Sequence, residues 1–144
     1  QGPRRTKPVV VAVHGDTWNL GHEIYLSCDI RIAAADTRFG QDENTHGRFP
    51  GGGATVRFVR EAGWGNTMRY MLTGDHWTAE ESYRMGVTQQ VAPTQAAALD
   101  VSVAMANKIA DSTRKCWRPT GASAMALFLP SDDDCADQSD GQQH

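Results

Sequence analysis

A chain of 144 residues, 40% of them hydrophobic, is long enough to bury one domain-sized core. The formal net charge of −3, with Lys and Arg scattered among acidic residues, provides no basic stripe for nucleic acid. No segment approaches the ~20 apolar residues of a membrane span. The basic stretch from Gln1 to Pro8 lacks the apolar run of a signal peptide, so a soluble, cytoplasmic chain is expected.

Val9–Val13 is a β-branched run between Pro8 and Gly15 and predicts a buried strand. An irregular turn, Asp16 to Gly21, opens a helix predicted over Leu20–Cys28, with Leu20, Ile24 and Leu26 to Cys28 facing the core. Ile30–Ala34 and Arg38–Gly40 read as two short strands. Strands so close behind a helix indicate a layered α/β fold.

Asp42 to Pro50 is polar and irregular. Gly51, Gly52 and Gly53 precede a helix predicted over Ala54–Ala62. Their spacing fits no phosphate-binding fingerprint, so a flexible turn is preferred to a phosphate cradle. A further helix covers Asn66–Leu72. Thr78, with Glu81 three positions on, makes a capping box for the next. Thr88–Val91 reads as a strand. Pro93 then opens a long helix to about Ala110, on which Leu99, Val103, Ala106 and Ala110 form an apolar stripe.

After Asp111 the composition changes, and Ser131 to His144 is acidic and poor in apolar residues. Such a segment cannot bury enough surface to offset its ordering entropy and is expected to be disordered. The domain reading is therefore a core over 1–110 and an atypical tail over 111–144.

Cys28, Cys116 and Cys135 form neither an even disulfide set nor a C-x-x-C pair, and Cys28 reads as a buried, inert thiol. The five histidines show no metal spacing. His22, beside Glu23, reads as a surface or capping residue in preference to a proton shuttle. No G-x-S-x-G is present, which removes the serine-hydrolase reading. Trp18, Trp64 and Trp77 are candidates for an apolar acyl pocket, with core packing as their default. Glu23 in a first helical turn is explained by the helix dipole alone, and spacing does not show whether Glu23 and Glu43 meet.

Several segments in order nevertheless carry a likeness: Pro8 to Gly15, Cys28 to Ala34, Arg38 to Gln41, Pro50 to Thr55, Leu72 to Gly74 and Gly86-Val87. Over Lys7 to Ala110 the chain resembles the second half of the crotonase superfamily core, the enoyl-CoA hydratase/isomerase family. The resemblance implies an α/β fold, a partial ββα spiral of short strands alternating with helices. It implies hydration of a 2-enoyl-CoA thioester, with no metal or redox cofactor and coenzyme A as part of the substrate. By the same resemblance Glu23 activates water, Glu43 protonates C2, and the backbone N–H of Leu20 is one of two oxyanion-hole donors. Trp18, Asn19 and Gly21 around that donor line the substrate site. The intact family member is expected to be a trimer or hexamer.

Three departures from the family set further expectations. Asn19-Leu20-Gly21 stands where members carry small residues, which points to an unusual acyl group or to isomerase, decarboxylase or hydrolase chemistry. The first half of the core is absent, so this chain alone is expected to be an incomplete, non-catalytic fragment. The tail beyond Asp111 does not look like the family's C-terminal helices, as a shifted reading frame would explain.

Overall fold

The computed structural model describes residues 5–116. Two small sheets and the helices packed on them make up the described fold. The first sheet runs in the order β1 (Val10–Val13), β3 (Ile30–Ala34), β6 (Gln90–Ala92), all parallel. In the second, β2 (Asp16–Trp18) pairs in parallel with β4 (Arg38–Gly40), and β4 pairs antiparallel with β5 (Trp77–Thr78). Helices α1 (Leu20–Leu26), α2 (Ala54–Ala62), α3 (Trp64–Thr73), α4 (Ala79–Arg84) and α5 (Gln95–Cys116) fill the connections.

Side chains alternate along β3, so it feeds two cores. Ile32 and Ala34 pack with Ala92 and Ala98, beneath α5. Ala33 points the other way, into the cluster of Tyr25, Phe39, Phe58, Tyr70, Trp77 and Val87. A parallel sheet covered on both faces reads as the apolar run seen in the sequence. Arg31 breaks that run but is fully engaged. Its guanidinium donates to Val87 O at 2.6 Å, to Cys28 O at 2.9 Å and to Glu61 Oε2 at 2.6 Å.

The α/β expectation holds, and most predicted elements lie within two or three residues of their observed bounds. Three of the short segments differ. Asp16–Trp18 is a strand rather than an irregular turn, and Trp77–Thr78 pairs with β4 although two residues show no periodicity. The polar segment after Asp42 contains a 3₁₀ turn, Glu43–His46.

On α1 the predicted core face is half right: Leu26 and, just beyond the helix, Cys28 are buried, but Leu20 is 64% and Ile24 56% exposed, and His22, Glu23 and Tyr25 are buried in their place. Polar groups occupy the inner face because they have partners there. On α5 the inward stripe is Ala98, Val101, Ser102 and Met105, one step round from the predicted one, and Leu99 and Val103 are 57% and 51% exposed. Small residues let the helix lie close on the sheet. The helix also continues past Ala110 to Cys116.

The capping box is half formed. Thr78 Oγ1 accepts from Glu81 N at 3.2 Å, but the Glu81 carboxylate takes Arg84 and Tyr70 rather than the cap. That arrangement, led by the Arg84 hydrogen bonds, lowers the Glu81 pKa to about 2. Cys28 is a buried free thiol, as expected. The expectation of disorder over Ser131 to His144 lies outside the described residues. Among the described residues no helix is long and apolar enough to cross a membrane.

Candidate active site

Glu23 and Glu43 are both buried, on segments that the fold fastens together. Glu23 sits in the first turn of α1, and Glu43 opens the 3₁₀ turn that follows β4. Because β2 pairs in register with β4, the residues leaving the two strands are neighbours. Asn19 N–H donates to Gly40 O at 2.9 Å, and two side-chain links follow. Asn19 pairs with Asp42, and His22 pairs with Gln41.

The Glu23 carboxylate is held by backbone. Its Oε1 accepts from Gly52 N–H at 2.7 Å and from Ala54 N–H at 3.1 Å. The glycine triplet is thus neither a phosphate cradle nor merely a flexible joint. A Cβ at position 52 would lie 2.5 Å from Glu23 Oε2 and 2.8 Å from its Cδ, so only glycine lets the chain come this close. Gly53, at φ 105°, then turns the backbone into α2. Two N–H donors on one carboxylate oxygen fix its direction.

Glu43 is held by one oxygen as well. Gln41 Nε2 donates to Glu43 Oε1 at 2.7 Å, and Gln41 Oε1 lies 2.6 Å from His22 Nδ1. Oε2 of Glu43 is buried with no hydrogen-bond partner among the described residues. His22, read from the sequence as a surface or capping residue, is fully buried. Burial lowers its pKa to about 4, against a smaller upward pull from the Gln41 hydrogen bond, so the ring is neutral at physiological pH.

Asn19 is the one described non-glycine residue at positive φ, 49° with ψ −113°, and forms the N-cap of α1. Glycine would adopt that conformation freely. Here the side chain compensates, since Asn19 Nδ2 donates to Asp42 Oδ1 at 2.7 Å and Asp42 N–H donates to Asn19 Oδ1 at 3.0 Å. Asp42 Oδ2 also takes His76 Nε2 at 3.0 Å. The Asn19 hydrogen bond, then His76, holds the Asp42 carboxyl below its ordinary pKa.

Around these groups, Leu20 presents its side chain outward at the start of α1. Trp18 is partly exposed and lies on the His76 ring at 4.2 Å between centroids. Gly21 has ordinary backbone, and a Cβ there would make only normal contact with Thr17, so nothing in the structure requires glycine at 21. Of the other tryptophans, Trp77 is core, stacked on Phe58 and Phe39, and Trp64 is exposed. Among the described residues no group of three or more His, Cys, Asp or Glu side chains is placed to hold a metal ion.

A family model described as enoyl-CoA hydratase/isomerase matches residues 4–131. The chain belongs to the enoyl-CoA hydratase/isomerase family. It is 39% identical over 104 residues to the short-chain-enoyl-CoA hydratase of Clostridium acetobutylicum, covering 72% of this chain and 39% of that protein. It is 34% identical over 104 residues to the 2,3-dehydroadipyl-CoA hydratase of Escherichia coli, covering 72% and 40%. Among solved structures, a probable enoyl-CoA hydratase/isomerase from Mycobacterium abscessus superposes with a TM-score of 0.73 at 39% identity, over 90% of this chain and 54% of that one. The chain thus spans about two-fifths of the length of the curated relatives it matches.

Membership of the enoyl-CoA hydratase/isomerase family agrees with the resemblance read from the ordered segments. The partners of the two glutamates were not legible there. Gln41 stands within one of the matching segments, and nothing in the spacing links it to His22. The glycine triplet was the available signal for Glu23, since three glycines before a helix mark a close backbone approach to something.

Proposed function

We propose that this chain carries the acid–base pair of an enoyl-CoA hydratase-like lyase, which adds water across the 2,3 double bond of an enoyl-CoA thioester to give the 3-hydroxyacyl-CoA. The observation that carries the reading is the pair of buried glutamates on cross-tied segments, each held through one oxygen, in a chain of this family. Glu23 takes a proton from water as the oxygen attacks C3. Negative charge moves to the thioester oxygen, and Glu43 delivers a proton to C2. The hydroxyl and both hydrogens of water are accounted for once the glutamates exchange protons with solvent.

The Leu20 N–H is one donor to the thioester oxygen, and removing one such donor typically costs about 3 kcal/mol of transition-state stabilisation. Trp18, Asn19 and Gly21 belong to the substrate side of that donor. Coenzyme A enters as part of the substrate, with no further cofactor. A cytoplasmic setting and a trimeric or hexameric assembly complete the reading.

The test offers a 2-enoyl-CoA to the 144-residue chain, alone and joined to the N-terminal half of a family member, and follows loss of the conjugated thioester absorbance. Formation of 3-hydroxyacyl-CoA supports the reading. A joined, folded protein that gives no hydration, or a different product, overturns it.

A further inference from the structure

We infer that His22 is a positioning residue for Glu43, acting through Gln41 as an imidazole protonated on Nδ1, so that Oε2 of Glu43 is the oxygen that carries the proton to C2. The inference rests on the proposed role of Glu43 as proton donor. Its starting point is a run of three buried side chains, His22, Gln41 and Glu43, linked at 2.6 Å and 2.7 Å.

The polarity of that run follows from what each group can donate. The Gln41 amide must turn its Nε2 toward Glu43 Oε1, because a carboxylate oxygen is an acceptor. Its Oε1 is then left facing His22, and only a proton on Nδ1 can satisfy it at 2.6 Å. The opposite tautomer would set two acceptors against each other. The His22 ring is packed among Phe58, Trp77 and Phe39, at 4.9, 5.1 and 5.8 Å between centroids. His22 Nε2 is buried with no hydrogen-bond partner among the described residues, so no acceptor waits there.

The consequence for Glu43 is geometric. Oε1 is occupied by a donor that is itself locked from behind, which fixes the carboxylate plane. Oε2, buried and without a protein partner, is the oxygen left to hold and release a proton. His22 is adjacent in sequence to Glu23, so one turn of α1 supplies the proposed base and sets the orientation of the proposed acid.

The test begins on the unmutated chain. In ¹⁵N-histidine-labelled protein, one-bond and two-bond proton couplings should show His22 protonated at Nδ1 and bare at Nε2 at neutral pH. The resonance is assigned by its loss in His22→Phe or in His22→Asn. The Gln41 side-chain protons should exchange with solvent at least 10-fold faster in His22→Phe than in the wild type. His22→Asn, whose amide N–H falls near the place of Nδ1–H, should restore slow exchange. In the hydrating protein, His22→Phe should lower kcat 10-fold or more with KM within about 2-fold, and His22→Asn should recover to within about 3-fold.

A proton on Nε2 in the wild type, or a folded His22→Phe with unchanged Gln41 exchange and kcat, overturns the inference. Should His22→Phe fail to fold, the wild-type tautomer still decides. A Glu43→Gln protein that hydrates normally would remove the proposed role of Glu43 while leaving the tautomer result intact, so the two failures are told apart.

Discussion

Asn19 and Asp42 hold each other at two points, the Asn19 amide donating to the Asp42 carboxylate at 2.7 Å and the Asp42 backbone N–H donating back to the Asn19 carbonyl at 3.0 Å. This pair keeps a non-glycine residue at φ 49° at the head of α1, directly before the proposed oxyanion donor. Backbone strain of this kind costs about 1–3 kcal/mol, and each hydrogen bond returns roughly 1 kcal/mol. Asn19→Ala keeps the strain and loses the pair, and should cost about 2–4 kcal/mol in urea unfolding. Asn19→Gly loses the pair but releases the strain, and should stay within about 1 kcal/mol of wild type. Equal losses in the two variants would count against the strain argument.

Gly52 makes a second prediction because its missing side chain is the space that Glu23 fills. Gly52→Ala leaves φ unproblematic but pushes the carboxylate off its two N–H donors. Hydration should fall at least 10-fold, with an unfolding midpoint changed far less than in a core truncation. The structure of the variant should show Glu23 Oε1 displaced from Gly52 N and Ala54 N.

Arg31 tests the part of the core that is remote from chemistry. Its buried guanidinium meets one carboxylate, Glu61, which is 30% exposed. Removing that carboxylate in Glu61→Ala leaves a buried cation with carbonyl partners only, and should cost about 1–3 kcal/mol of stability. Hydration at a temperature where the variant is folded should be unaffected.

The buried neutral His22 sets the direction of an acid response. Its pKa is about 4 in the folded chain and about 6.5 when unfolded. The unfolded state therefore takes up the proton first. Stability attached to this group is complete above pH ~6.5 and falls by roughly 3 kcal/mol as pH drops to 4. Asp42 and Glu81, whose pKa values are lowered by their partners, add a further loss only below their unfolded values, near pH 4. His22→Phe should abolish the part of the slope between pH 6.5 and 4 and leave the lower part. An unchanged slope would contradict the placement of a neutral imidazole in the core.

What the sequence could convey here depended on which signal each element carries. Val10–Val13, β3 and α2 carry apolar runs or a period that the sequence shows directly. β2 and β5 have three and two residues, too few for a period of two to register, and owe their pairing to β4. α5 was read one step out of phase, because Leu99 and Val103 outrank Ala98 and Ser102 in hydrophobicity whereas close packing on a sheet favours the small pair. α1 misleads for the opposite reason, since polar His22 and Glu23 are buried beside Tyr25 and Leu26 while Leu20 and Ile24 face outward. Glu23 and Glu43 were named from family order. The groups that hold them, Gly52, Gln41 and His22, are set by long-range geometry that spacing does not encode.

The central claim is that Glu23 and Glu43 are the acid–base pair, and the direct measurement is hydration of a 2-enoyl-CoA by Glu23→Gln, Glu43→Gln and the double variant, in the chain joined to the N-terminal half of a family member. General acid–base groups typically contribute 10²–10⁴-fold, so each single variant should lose at least about 10²-fold in kcat with KM little changed. The double variant should lose less than the product of the two, as groups acting in one step do. Hydration that survives both substitutions near the wild-type rate would contradict the account.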